Sequence, residues 1–557
     1  MSSTTDAACP AELTNTCAER HWAIYWLLII CSVATVGGRA LTVNSWDHSP
    51  FFSANDRSRW CTIRALGDAG TYEIDDVISN SDNRFRWDSI DKVQHVGRDG
   101  NLHFYSSKPP LFPALVAGIY IGIKAVTGWT IADDTFYVVR TILVLVNVLP
   151  WLLYLMVFGL LIDRLPVRDW TRYYVLAAAA FGTYLSTFVI TINNHLPAAV
   201  CVMVSLYCLT QIWREDMILK DGRYVSRRHE AHGWTYFWAG LTGAFAVANE
   251  LPALAFLGLA GLACLVRSPK KTLFGFLPGV GLIAAAMIGA NFAAHGEWKL
   301  PYAHRSDGPI VQQIEGDFAT ELNAGRLPVE IAKQLPAILE MTFPQVEIGD
   351  WPGTPAEISR WVVRDANSSR QFAITQPQGG DVVQIREWGN WYDYPGSYWL
   401  AKNDADKSEV DRGQSSRTLY AFHLFFGHHG IFSLTPMWIF GFAGMLALAF
   451  NTRLKLRWLG WMSLVLTTVV ISFYITRPQL DRNYGGLTSA LRWLFWLAPL
   501  WLVCMLPVVD WLSRSKWGRT ACYLLLAGSV ISATYSAANP WVHPWLYEIW
   551  EGTGLPR

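Results

Sequence analysis

The sequence predicts an all-α polytopic membrane protein: about eleven transmembrane helices, juxtamembrane helices outside the bilayer and a partly folded extracytoplasmic segment. Three observations carry this. Of 557 residues, 52% are hydrophobic and 16% charged, against about 25% charged in ordinary soluble domains. Apolar runs approaching the roughly 20 residues that cross a bilayer recur along the chain. The 28 Trp, 22 Tyr and 27 Phe suit a membrane, because aromatic rings collect at its water interface.

The first run, 22–41, follows some twenty mostly polar residues and leaves through Gly37-Gly38-Arg39 without a small-x-small cleavage site, so it reads as an anchor rather than a cleaved signal. The others fall at 136–162, 173–191, 196–213, 234–249, 251–266, 272–293, 436–450, 458–476, 493–512 and 521–538. Basic residues set the orientation, because cytoplasmic loops retain Lys and Arg. The clusters are Arg164/Arg168/Arg172, Arg214 to Arg228, Arg267/Lys270/Lys271, Arg453/Lys455/Arg457 and Arg514/Lys516/Arg519. All face the cytoplasm only if the apolar run at 111–127 does not cross. That run opens at Pro109-Pro110 and carries Lys124, which suits an interfacial or re-entrant helix.

The expected protein lies in the plasma (inner) membrane, with its N-terminus cytoplasmic. An N-terminal membrane module, 1–293, includes a first outer loop at 42–135. An extracytoplasmic segment, 294–435, contains an amphipathic stretch from Val329 to Leu339, and a C-terminal membrane module, 436–557, follows. The sequence shows no internal repeat. A net charge of +1 gives no basic stripe for nucleic acid. Nine cysteines without a CxxC pair imply neither a zinc site nor a disulfide framework.

The interesting polar residues gather on the outer face. Asp56, in Asn55-Asp56-Arg57-Ser58-Arg59-Trp60, precedes Trp60, Ile63 and Leu66 at helical spacing, so it sits at the start of an amphipathic surface helix. It is either a helix cap paired with arginines or a reacting carboxylate. Lys108 before Pro109-Pro110 is a snorkelling lysine or an ammonium held at lipid-phosphate depth. Arg492 follows Asn483-Tyr484-Gly485-Gly486, where two glycines permit a tight turn; it snorkels or recognises phosphate, with Arg477 and Arg482 as runners-up. Asn193, Asn194 and His195 bind sugar or cap helix ends. Glu250 is an acid, a sugar contact or a cap. His428-His429 with Asp393 lacks metal-ligand spacing. The stretch Trp388 to Pro395 stacks on sugar rings or forms an interfacial belt.

The order and shared sidedness of these motifs resemble the GT-C membrane glycosyltransferases, especially the branch of protein O-mannosyltransferases and lipid A aminoarabinose transferases. Asp56-Arg57-Ser58-Arg59-Trp60 is similar to that branch's acidic pair before Arg-Tyr, and Tyr105 to Pro110 to its Lys-Pro-Pro segment. The resemblance covers roughly 20–220; beyond that it rests on architecture, Tyr484-Gly485-Gly486 and Arg492. It implies a polyprenyl-phosphate sugar donor, a lipid, glycan or protein acceptor on the outer face, membrane lipids as surroundings, and no required cofactor or metal. Asp56 would be the catalytic base and Lys108 and Arg492 the donor-phosphate ligands. Asn193, His195, Glu250 and Tyr484 are the expected sugar or acceptor contacts. The sequence departs from the pattern at Arg57, where the family carries the Glu of its acidic pair. Asp56 then acts alone, another carboxylate (Asp91, Glu250 or Asp393) substitutes, or the chain is non-catalytic.

Two rival classes remain. A transporter usually shows repeats and midplane ionisable residues, whereas charges here crowd one face, with Arg140 the main exception. A glycolipid-binding membrane protein without activity is the other.

Overall fold

The computed structural model describes residues 11–45, 48–81, 83–220, 223–339, 344–348, 358–365, 370–400, 409–451 and 456–553. Every apolar run read as a span is helical. Among the described residues, seven helices are long and apolar enough to cross a membrane: His21–Leu41, Thr135–Asp163, Asp169–Ile190, His195–Ile212, Pro269–His295, Arg457–Thr476 and Arg492–Leu512. The other four runs are Gly233–Asn249, Leu251–Arg267, Trp438–Phe450 and Lys516–Tyr535. The first three of these have 17 residues or fewer.

One apolar core runs from Tyr25 to Cys522, so helices from both ends of the chain pack together. The Tyr174 hydroxyl, for example, donates to the Cys522 carbonyl at 3.0 Å. The run at 111–127 forms the 17-residue helix Leu111–Thr127. It buries Phe112, Val116 and Tyr120 but exposes Leu115, Ile119 and Val126, an apolar outer face suited to lipid.

The chain is mostly helical, but the all-α expectation needs correction. Strands β1 (Lys92–Val96) and β2 (Leu102–Ser106) form an antiparallel hairpin. Strands β3 (Glu215–Lys220) and β4 (Arg223–Arg228) form another, within a basic loop. In the 294–435 segment, β5 (Ile310–Glu315), β6 (Pro344–Ile348), β7 (Ile358–Asp365), β8 (Gln371–Pro377) and β9 (Val382–Glu387) make an antiparallel sheet in the order β5-β9-β8-β7-β6. Each strand spans five to eight residues, too short to register in a search for long apolar runs. Alternation places Trp361 and Val363 of β7 and Val383 and Ile385 of β9 on one side. There they form a separate core with Ile314, Leu322, Ile331 and Ile374. The amphipathic stretch is the helix Val329–Leu339.

The 294–435 segment docks on the β1–β2 hairpin through interleaved rings. Trp391 lies between His304 at 3.7 Å and His95 at 4.1 Å, and His95 also stacks on Tyr105 at 4.1 Å. His95 Nε2 meets His295 Nδ1 at 3.0 Å. The Gln94 amide donates to the Trp391 carbonyl at 2.8 Å, and the Trp399 indole to the Ile90 carbonyl at 3.0 Å. Arg360 holds the aromatic loop to the sheet by pairing with Asp307 at 2.6 Å and Asp393 at 2.7 Å.

Candidate functional site

Helix Ala54–Ala69 opens with a reciprocal cap. The Asp56 amide donates to Ser53 Oγ at 3.2 Å, and the Ser53 amide to Asp56 Oδ1 at 2.9 Å, satisfying two backbone donors at once. Asp56 Oδ2 accepts from the Phe52 amide at 3.1 Å and from the Thr191 hydroxyl at 2.8 Å. The side chain is 0% exposed. Burial raises its pKa, against the pull of these hydrogen bonds. The structure therefore engages both oxygens of Asp56 in fixing the helix start and tying it to residue 191.

One turn on, the same helix carries Arg59 inward. Its guanidinium donates to the Asn55 side chain and carbonyl and, at 2.7 Å, to Asn194 Oδ1. The β1–β2 hairpin supplies the opposing groups. Its register pairs Lys92 with Ser106, so Asp91 and Lys108 lie just beyond its open end. They meet at 2.8 Å. Burial alone would raise the Asp91 pKa, but the Lys108 ammonium, with Arg492 and Arg59 near, holds it below the usual carboxylate range. Burial lowers Lys108 to about 8, with Asp91 opposing.

The third wall comes from distant helix ends. Asn194 Nδ2 donates to Glu250 Oε1 at 2.7 Å, and His195 Nδ1 shares that same oxygen. His195 Nε2 meets Arg492 Nη1 at 3.0 Å. A guanidinium only donates, so Nε2 is the acceptor and the ring proton sits on Nδ1, directed at Glu250. Burial pushes the Glu250 pKa up to about 8, with Arg492 and Arg59 pulling it down. Arg492 Nε donates to the Gly485 carbonyl at 2.7 Å, and the guanidinium lies 4.7 Å over the Trp541 ring. A continuous arc of hydrogen bonds thus runs Arg59–Asn194–Glu250–His195–Arg492–Gly485.

The structure brings Lys108, Arg492, His195 and Glu250 into one site, and adds Arg59, Asp91 and Asn194. Asn193 stands behind it: its amide donates to the Phe188 and Thr191 carbonyls at 2.8 Å each, and its oxygen accepts from the His195 and Leu196 amides. Tyr484 points elsewhere, stacking on His429 at 4.2 Å, and only the neighbouring Gly485 carbonyl reaches Arg492. Rings of the Trp388–Pro395 stretch are largely spent inside the protein, Trp391 against histidines and Tyr394 against Phe104. Arg57 faces the Asp88 carbonyl at 3.1 Å. Among the described residues, no group of three or more His, Cys, Asp or Glu is arranged to hold a metal.

Three cations, Arg59, Lys108 and Arg492, therefore converge where the Ala54–Ala69 helix and the β1–β2 hairpin meet the ends of apolar helices. Among the described residues only Lys108 has an ion-pair partner. Glu250, close to its pKa at neutral pH, offsets little of the remainder. Buried cations are costly unless paired, so the arrangement suits a bound anion. An apolar recess is lined by Tyr184, Leu185, Leu434, Trp438, Leu494 and Phe495, the last two within the helical stretch Arg492–Leu497.

No family model matches the chain, and no curated protein does. Among solved structures, the chain is similar to the apo Archaeoglobus fulgidus oligosaccharyltransferase, at 12% identity and TM-score 0.42, over 96% of this chain and 58% of that one. It is similar to the S. cerevisiae protein O-mannosyltransferase complex bound to its sugar donor, at 11% identity and TM-score 0.40, over 95% and 92%. It is also similar to the Archaeoglobus fulgidus oligosaccharyltransferase in complex with an inhibitory peptide and a dolichol-phosphate, at 13% identity and TM-score 0.39, over 95% and 58%. The chain spans little more than half the length of the archaeal enzyme.

Proposed function

We propose that this protein transfers a sugar from a polyprenyl-phosphate donor to an acceptor on the extracytoplasmic face of the membrane. The observation that supports this most is the excess of positive charge at the buried Arg59 and Lys108 and the half-buried Arg492. Lys108 and Arg492 hold the phosphate and Arg59 backs them. The recess lined by Leu494 and Phe495, in the stretch that Arg492 opens, takes the first part of the isoprenoid chain. His195 and Glu250 orient Arg492.

Asp56 was the carboxylate expected to act as base, but its oxygens are already filled by amides and a hydroxyl. Asp91 is the carboxylate kept ionised among the cations, and we assign the base to it. The acceptor hydroxyl attacks the anomeric carbon and passes its proton to Asp91. The bond from that carbon to the phosphate oxygen breaks, and its electron pair leaves on the phosphate, where Lys108 and Arg492 neutralise it. One displacement inverts the anomeric centre. General-base help is typically worth about 10²–10⁴-fold, and fixed cations add stabilisation where charge develops.

The test combines native mass spectrometry of the purified protein with single-turnover transfer. Wild type is expected to carry polyprenyl phosphate or its sugar conjugate, and Lys108→Ala to lose it. Asp91→Asn should keep the carrier and lose transfer, whereas Asp56→Asn should transfer but unfold more readily. The reverse order for the two aspartates would return the base to Asp56. A wild-type protein without carrier under gentle extraction would sink the lipid-phosphate assignment.

A further inference from the structure

The turn Pro301–Ala303 follows the Pro269–His295 helix, and this stretch carries Tyr302 and, just beyond the turn, Arg305. Tyr302 has Arg59, Asp91, Arg305 and Glu250 as its charged neighbours. Its side chain is 41% exposed and so open to a ligand. Arg305 lies beside it, with its guanidinium 4.9 Å from the Tyr392 ring, 5.6 Å from Trp399 and 6.0 Å from Tyr302. Its carboxylate neighbour, Asp481, stands 3.9 Å away and is already bound to Arg477 at 2.6 Å. Two half-exposed guanidiniums thus share one carboxylate, in addition to the three cations already described.

We propose that Tyr302 and Arg305 form the acceptor subsite, and that it selects a glycan bearing an anionic group, carboxylate or phosphate. This rests on the transferase reading, in which the inner cations are occupied by the donor phosphate and cannot serve a second anion. A sugar ring presents C–H bonds that pack on an aromatic face. A guanidinium offers a planar fork that grips a carboxylate or phosphate. Tyr302 and Arg305 supply both three residues apart, 6.0 Å from ring to guanidinium, with Asp91 among the charged neighbours of Tyr302 to take a proton from the sugar's hydroxyl. A neutral glycan would leave the outer positive charge unmatched.

The probes are D-glucuronate, D-glucose 6-phosphate and D-glucose, titrated by saturation-transfer NMR against the full chain in nanodiscs. At least one anionic sugar is expected to bind about tenfold or more tightly than glucose, the scale of one charge-assisted hydrogen bond. Arg305→Ala should abolish that preference, Arg305→Lys should weaken it, and Tyr302→Ala should weaken all binding. Tighter glucuronate assigns a carboxylate, and tighter glucose 6-phosphate a phosphate. No sugar binding by folded wild type, equal binding of glucose, or a preference that survives Arg305→Ala would overturn the proposal. The donor assignment is read separately with polyprenyl phosphate. Its loss in Lys108→Ala together with an intact sugar preference upholds both readings. A wild type that binds the anionic sugars but no polyprenyl phosphate rejects the donor assignment alone.

Discussion

Adding one methyl group at Gly485 should disable the proposed phosphate site without replacing any charged residue. Gly485 has φ +102°, and a Cβ there would come within 2.6 Å of Arg492 Nε, 3.0 Å of its Cγ and 3.2 Å of its Cδ. The alanine variant must therefore move Arg492, breaking the 2.7 Å bond from Nε to the Gly485 carbonyl and the contact with His195. A misplaced guanidinium forfeits about one charge-assisted hydrogen bond to the phosphate, about 1.5–3 kcal/mol, or about 10- to 150-fold in Kd. The left-handed backbone adds about 1–3 kcal/mol of strain, which would also lower stability. Gly486→Ala separates the two effects. Gly486 has φ +75° but nothing within 4 Å of its missing Cβ, so it carries strain without the clash. Polyprenyl-phosphate titration by native mass spectrometry, with thermal denaturation alongside, should show both variants destabilised but only Gly485→Ala weakened in binding. Equal affinities in the two variants would refute the view that this turn exists to seat Arg492.

Three further outcomes are expected. Donor affinity should fall as pH rises through about 8, because Lys108 loses its proton there while Glu250 gains negative charge; titrations from pH 6.5 to 9.5 should show the fall flattened in the Glu250→Gln, Lys108→Arg double variant. Asp56→Ala should lose about 1–3 kcal/mol of stability, since it strips acceptors from the Phe52 and Ser53 amides and the Thr191 hydroxyl, and thermal denaturation measures it. Burial lowers His95 to about 4 from its ordinary 6.5. Neutral His95 therefore supports the fold above pH 6.5, and that support drains away as pH falls toward 4. The loss is about 3 kcal/mol for this group. Hydrogen exchange of the hairpin and the Trp391 loop should rise over that window, and less so in His95→Gln.

How far the sequence reveals this site depends on what kind of pattern each residue belongs to. The helices announce themselves through apolar runs, and Lys108 and Arg492 through the motifs around them. Asp91 lacked such a label. It enters the site because β1 and β2 close a hairpin that brings its open ends together, and the Asp99-Gly100 turn between alternating apolar positions was the available signal. Arg59 was visible as one basic residue of an amphipathic helix. That it turns inward to Asn194 depends on a partner 135 positions away, which no local pattern encodes. The same holds for Tyr484 in the opposite sense: its motif marks the correct turn, but the backbone of the next residue performs the contact.

The departure at Arg57 takes on a different meaning once these positions are fixed. If the reacting carboxylate had to be Asp56, replacing its acidic neighbour by arginine would strip the site of a partner and favour an inactive protein. In the structure that position faces the Asp88 carbonyl, and Asp56 is the cap of the helix that delivers Arg59. Negative charge reaches the cations from the hairpin, through Asp91, and Glu250 at the Gly233–Asn249 helix end holds Arg492 through His195. An arginine at position 57 therefore costs the site nothing that it uses. A chain that bound no anion would have little reason to keep a buried Arg59 and a half-buried Arg492 without an ion-pair partner among the described residues, because desolvating a charge is costly unless it is paired. Removing the positive charge should then stabilise the empty protein while abolishing donor binding: Arg59→Met is expected to raise the melting temperature without lipid and to lower it relative to wild type when polyprenyl phosphate is present. A variant destabilised equally in both conditions would mean that Arg59 is structural.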